Sequence, residues 1–414
     1  MRINFLTAVL CLLVALTSML AADSAPAQEQ GCVRTAAYDY VSSCGCSYCA
    51  PPPLWIRAEY LHAWINNSSL PALISTSSSG GDQADAGVLG EPGTSVLFGD
   101  EPVGGEGRGV RATFGLRLGH YFDSLADWQV ETTVIWLGST EHPDEFSSAS
   151  GGDPILAQPF FDTSNGAQNS GLVAFPGLVA GSLSTEVSNE VNSAAILVRR
   201  ILHWDDRLRL DLLAGYRYFN YSEQLDMEQA FATPGNVPSG EQTYVAIADR
   251  FRANNRFDGL EVGAVGQYYH NAWEFEALGK LAFGQVRQTW TTDGATIIDD
   301  PGQDDLVAWN QGFLATSARI GVERADGFAV LPELNLSVRR HITPDFIFTF
   351  GYTLIYLNDA IRLGGQLNTS LDSRELADEA PLARASGVDD VAAPSEPDRD
   401  NGLWIQGIHI GLEW

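Results

Sequence analysis

The sequence predicts an all-β fold, a transmembrane antiparallel up-and-down β-barrel of about ten strands, with twelve as the alternative count. Three observations carry this. Apolar and polar residues alternate with period two in segment after segment. The connections between those segments alternate strictly between a few residues and roughly thirty to fifty, as in transmembrane barrels with short turns at one end and long loops at the other. Each segment has about 11 residues, which at ~3.3 Å per residue and ~40° of tilt span ~28 Å, near the hydrocarbon thickness of a bilayer.

Residues 1–27 read as a secretory signal peptide: Arg2 is the positive end, Phe5 to Leu20 the apolar stretch, and Ala25-Pro26-Ala27 the cleavage site. Residues 28–53 form a short periplasmic segment carrying Cys32, Cys44, Cys46 and Cys49 and ending in three prolines. Two disulfides are the expectation after export, although C-x-C-x-x-C with a fourth cysteine is also a metal-ligand set. The barrel occupies 54–414.

Its first strand is "LWIRAEYL", with Leu54, Ile56, Ala58 and Tyr60 on one face and Trp55, Arg57 and Glu59 on the other. The alternation recurs near 109–121, 126–138, 207–220, 257–270, 272–287, 327–340, 344–358 and 402–414, while 188–202 is a strand of ambiguous phase. Short turns fall at Phe122–Leu125, His203–Asp206, Asn271 and His341–Thr343. Segments 242–250 and 312–323 are the extra pair that twelve strands would need. Trp64, Tyr121, Trp128, Trp136, Tyr216, Tyr218, Trp273 and Tyr356 lie near strand ends, where interfacial aromatic girdles form. An even strand number puts both ends of the barrel in the periplasm.

The polar faces carry both charge signs at close spacing. Arg57, Glu59, Arg117, Glu131, Arg209, Asp211, Arg217, Glu274, Glu276, Lys280, Glu333 and Arg339 are therefore expected in the lumen, where buried charges must pair. Glycines alternate among them, which suits a crowded interior. The net charge of −28 argues against nucleic acid as partner. Acid concentrates in the long loops, at Asp299–Asp305 and 371–400, whereas His120, Arg199, Arg200, His203, Arg207, His270, Arg339, Arg340 and His341 flank the short turns. These basic residues read as interfacial filler rather than a headgroup site. For the acidic loops, solvation is preferred over bridging by divalent cations.

Several stretches together resemble the BBP7 family of outer-membrane β-barrel proteins, best represented in planctomycete bacteria. They are "PLWIRAEYLHAWI" (53–65), "DAGVLGEPGTSVLFGDEPV" (85–103), "LLAGYRYFNYSEQL" (212–225), "DRFRANNRFDGLEVG" (249–263) and "VLPELNLSVRRHITPDFIFTFGYTLIYLNDAIRLGGQLN" (330–368). The loop "AIRLGGQLN" departs from the family's usual Val-x-Arg-Pro-Gly-Asp-Gln-Ile-Asp. The resemblance implies a fold and an outer-membrane location, and no activity, ligand or cofactor.

Enzymatic chemistry has little to stand on. His142 is the one histidine in a long loop, beside Asp144 and Glu145, and a lone histidine among acids is weak evidence for a hydrolase. His62 falls outward and His409 inward, so they do not share a site. "GGEGRGVRATFG" precedes a strand rather than joining strand to helix, which argues against a phosphate cradle. No cofactor or metal is expected. The leading expectation is a structural or surface-binding barrel working through acidic loops. A narrow channel for small cationic solutes comes second and a hydrolase third. The expected partners are outer-membrane lipid and, during biogenesis, the assembly machinery. Ile408, Ile410, Leu412 and Trp414 form the closing strand and end in a terminal aromatic of the type that machinery reads.

Overall fold

The computed structural model describes residues 53–78, 81–100, 102–140, 143–233, 242–300, 306–343, 346–373 and 402–414. The signal peptide, the four cysteines, His142 and most of the acidic stretches 301–305 and 374–401 lie outside them.

The strands are β1 (Leu54–Ser69), β2 (Ile74–Thr76), β3 (Ser95–Phe98), β4 (Pro102–Arg117), β5 (Trp128–Thr140), β6 (Asp144–Ser147), β7 (Leu156–Asp162), β8 (Ala167–Ala174) and β9 (Ala180–Trp204). They continue with β10 (Leu208–Thr233), β11 (Thr243–His270), β12 (Trp273–Asp299), β13 (Val307–Trp309), β14 (Gly321–Thr343), β15 (Phe346–Leu357), β16 (Ser370–Leu371) and β17 (Leu403–Glu413). Ten of them, β1, β4, β5, β9, β10, β11, β12, β14, β15 and β17, close into an antiparallel ring, with β17 sealing against β1. The short β6 and β13 pair onto β9 and β12. The ring therefore has ten strands. Of the extra pair considered for twelve, Thr243–Arg250 is the start of β11, and 312–320 is not strand.

Near the short-turn end the wall shows the predicted alternation. On β12, Trp273, Phe275, Leu281 and Phe283 are exposed on the outside while Glu274, Glu276 and Lys280 are buried inside. The phase of 188–202 is settled by burial: Val191, Ser193, Ala195, Leu197 and Arg199 point in, Ile196, Val198 and Leu202 point out. It was illegible because Ala194 and Ala195 are both buried, and alanine suits either face. A register shift opposite Leu210/Asp211 marks a bulge where the strand turns toward β10.

Four strands are far longer than the lipid thickness requires. β9, β10, β11 and β12 have 25, 26, 28 and 27 residues, and β14 has 23. This corrects the expectation that 221–256 and 288–326 are long loops. The physical reason is an inversion of faces. Beyond Tyr218 on β10 the outward residues become Asn220, Gln224, Asp226 and Glu228, while Leu225, Met227 and Phe231 are buried inside. The same happens on β12, with Gln285, Arg287 and Asp293 outside and Val286 and Trp290 inside. In lipid the apolar face belongs outside; beyond the lipid the outside is water and the apolar face turns inward. A pattern anchored on outward apolar residues breaks at that level although the strand continues.

The five long strands thus raise a one-sided wall above the belt. The five shorter ones supply what covers it. β2 and β3 leave after β1, β7 and β8 after β5, and β16 after β15, and together they form a second, five-stranded sheet. Its Ile74, Leu156, Phe160 and Val173 share one core with Leu225, Met227, Phe231, Phe251 and Trp290 of the wall.

Candidate functional site: the lumen

The lumen is built in levels along the barrel axis. At the short-turn end the inward positions of β1, β12, β14 and β17 place opposite charges in register. Arg57 is the direct cross-strand partner of Glu413, and Glu274 of Arg339. The Arg57 guanidinium donates to Glu413 at 2.8 Å and to Glu276 at 2.9 Å. Arg339 bridges Glu274 and Glu413. The Gln267 amide donates to Glu274 and Glu276, each at 2.8 Å. Beside this group Arg199 pairs with Asp211 and, at 3.3 Å, with Glu131, and Arg209 joins Asp211 at 3.0 Å.

One level further in, Glu59 and Arg111 are register partners on β1 and β4. The contact is bidentate, its second bond 3.0 Å. Arg111 also donates to Asn335 at 2.8 Å and to Thr353 at 3.2 Å. Across the lumen Arg217 and Lys280 converge on Glu333 at 2.8 and 3.0 Å, and both lie near Glu261 at 3.5 and 3.6 Å. Two inward glycines make room for this filling. A Cβ on Gly115 would lie 2.0 Å from the Trp55 ring, and one on Gly351 2.4 Å from His409.

The third level is apolar. Leu61, Ile65, Leu137, Phe219, Phe257, Val286, Leu331 and Ile355 form one buried cluster across the barrel. Above it the segment after β15 folds inward and is pinned. The Arg362 guanidinium donates to Glu223 at 2.6 Å and to Asn66, and the Leu363 N–H donates to the other Glu223 oxygen at 2.8 Å. Asn255 exchanges two hydrogen bonds with the backbone of Ile361. A second inward segment, around 312–315, hangs on Asp249, whose carboxylate accepts the N–H groups of Phe313, Leu314 and Ala315 at 3.2, 3.1 and 2.7 Å.

Of the charges expected in the lumen, Arg57, Glu59, Glu131, Arg209, Asp211, Arg217, Glu274, Glu276, Lys280, Glu333 and Arg339 enter these ion pairs. Arg117 is half-buried at the end of β4. The expected set leaves out Arg111, Arg199, Glu261 and Glu413, all at inward positions. For Arg111 and Glu413 the alternation already carried the signal. For Glu223 and Arg362 no periodic signal existed, because both lay in presumed loops.

The arrangement is poor catalytic geometry. Ser337 Oγ and Glu59 both approach the same nitrogen of His409, Nε2, at 3.1 and 3.5 Å, while Nδ1 meets Thr353 at 3.0 Å. A nucleophile–base–acid triad needs serine and acid on opposite nitrogens. His62 stays on the outer face against Trp64, with ring centroids 4.9 Å apart. Among the described residues no cluster of three or more His, Cys, Asp and Glu could hold a metal ion. A groove of about 590 Å³ lies on the lipid-facing outside, lined by Tyr268, Phe275, Leu336, Phe350 and Ile408.

A family model described as "Putative beta barrel porin-7 (BBP7)" matches residues 55–414. Among solved structures the chain is similar to the outer membrane protease OmpT from Escherichia coli, with 10% identity and a TM-score of 0.39 over 89% of this chain and 99% of that one. It is also similar to the Pseudomonas putida toluene transporter TodX (7% identity, TM-score 0.22, 88% and 89% covered). A Pseudomonas aeruginosa FadL homologue matches at 8% identity and a TM-score of 0.21, with 87% and 89% covered. Likeness at this level carries no functional inference. No curated protein matches the chain.

Proposed function

The chain belongs to the putative beta barrel porin-7 (BBP7) family and is a porin-like outer-membrane β-barrel, and from that premise we propose that it is a closed barrel whose working part is the head at its long-loop end. One observation carries the reading: the lumen is filled at successive levels by ion pairs, by an apolar cluster and by two pinned inward segments. The short turns then face the periplasm and the head faces outward, with its acidic loops available to ligands or neighbouring surfaces. A structural or surface-binding role follows from this filling, and an enzymatic one draws no support from the histidine geometry.

The test is conductance. Purified protein reconstituted in planar bilayers should give no reproducible single-channel steps. Stable, cation-selective steps would overturn the closed reading in favour of the narrow channel.

A further inference from the structure

We propose that the outward face of β11, β12 and β14 just beyond the apolar belt binds the phosphorylated headgroup of an outer-leaflet glycolipid; the leaflet assignment rests on the reading that the head faces outward. Counted from the short turns, the unbroken outward row of apolar and small residues on these strands ends at Leu260, Phe283 and Phe328, exposed by 60%, 38% and 69%. Four positions further along each strand stands an exposed arginine: Arg256, Arg287 and Arg324. At ~3.3 Å per residue and ~40° of tilt, that offset is ~10 Å beyond the belt edge, where headgroup phosphates lie. Arg252 follows on β11.

The four arginines form one cluster. Arg256 and Arg287 are direct cross-strand partners. Arg324 and Arg252 lie opposite Thr289 and Thr291, the next two outward positions of β12. With strands ~4.8 Å apart and alternate residues ~6.6 Å apart, one headgroup can reach all of them. Like charges opposite each other destabilise a sheet unless anions lie between them. Asp258 and Asp326 answer Arg256 and Arg287 at 3.1 and 3.2 Å, and the Tyr218 ring backs Arg256 at 5.4 Å. Arg252 and Arg324 have no ion pair among the described residues. The patch is thus short of anions in a chain of net charge −28. Outward Asn254, Thr289 and Thr291 lie among the arginines and add neutral hydrogen-bonding groups. Phosphate oxygens complement such a set. The occupant is a lipid rather than a free phosphate because acyl chains of the same molecule would lie against Leu260, Phe283 and Phe328.

The test uses purified protein in detergent micelles with diphosphorylated lipid A, its dephosphorylated form, or inorganic phosphate, and native mass spectrometry to count bound lipid. Wild type should bind the phosphorylated lipid at least about tenfold more tightly than the Arg252→Ala/Arg256→Ala/Arg287→Ala/Arg324→Ala variant. The dephosphorylated lipid should bind no better than the variant does. Equal binding by variant and wild type, or by both lipids, overturns the proposal. Competition by millimolar inorganic phosphate that abolishes lipid binding would show a free-anion site instead. If the fourfold variant does not fold, Arg252→Gln/Arg324→Gln removes only side chains that have no ion pair among the described residues and should still lose binding. Labelling Thr289→Cys on intact cells with a membrane-impermeant maleimide tests orientation separately. Absence of labelling overturns the leaflet assignment while leaving the micelle result to judge the site.

Discussion

The Glu59–Arg111 pair shows what a single lumen residue contributes. Both side chains are nearly inaccessible, 1% and 7% exposed, so each neutralises a charge that water cannot reach. Replacing Glu59 with Ala leaves Arg111 buried without its carboxylate, at a cost of about 3–5 kcal/mol. The expected readout is a lower temperature for loss of the compact, heat-modifiable band on gels. Glu59→Leu/Arg111→Met should recover most of that loss, since apolar replacement of both partners removes the desolvation penalty as well. At the short turn between β9 and β10, Asp205 accepts the N–H groups of Arg207 and Leu208, each at 2.8 Å, and meets His203 at 3.0 Å. The backbone N–H of Arg207, the His203 ring and the N–H of Leu208 together hold its carboxyl down at about 2. An aspartate depressed in the fold adds stability that is fully present above its unfolded value of ~3.9 and vanishes as pH falls through the folded one. Asp205→Ala should therefore unfold more readily than wild type at pH 7, and the difference should disappear near pH 2 in matched melting curves. The residues of the ion-pair levels were largely legible, because period two assigns a face to each of them. Arg362 and Glu223 were not, because their pairing joins a loop to a strand extension.

At the scale of elements, the inward segment at 312–315 hangs on Asp249. Asp249→Ala leaves three buried N–H groups without an acceptor, at about 1–3 kcal/mol for each that stays unsatisfied. The segment should detach locally before the barrel opens, so trypsin should cut at Arg319 in the folded variant and spare wild type. Equal resistance in both would refute the anchoring. The closing strand poses a different problem. The Trp414 N–H donates to Ile56 O at 3.0 Å and the Trp414 carbonyl accepts the Ile56 N–H at 2.9 Å, while the indole is exposed on the outer face. Ending the chain at Glu413 removes the Ile56–Trp414 rung and leaves the nine register pairs between β1 and β17 in place, a small loss of stability. The expected defect is in assembly: less protein in the membrane fraction, with the inserted portion melting near wild type. Normal insertion of the truncated chain would count against the assembly role.

At the scale of the molecule, the filling of the lumen is redundant. The ion-pair levels, the apolar cluster and the pinned segments stand at different positions along the same strands and rest on different physics. Bilayer recordings of Asp249→Ala should consequently stay as silent as those of wild type, since loosening one level leaves the others in place. The head is also a product of division of labour around the ring: five strands run on past the belt, and the loops of the other five fold over their inner face.

By itself the sequence determined the barrel, its ten strands, the belt facing lipid and the identity of most lumen charges. All of these follow from a local alternation that lipid thickness and strand pleat impose on neighbouring residues. Only the tertiary structure decided that β9 to β12 continue far beyond the lipid, that the alternation inverts there, and that segments distant in sequence fill the interior. The inversion depends on which side of a residue meets water, and that is set by the loops folding over it. No local pattern records a medium that the rest of the chain creates.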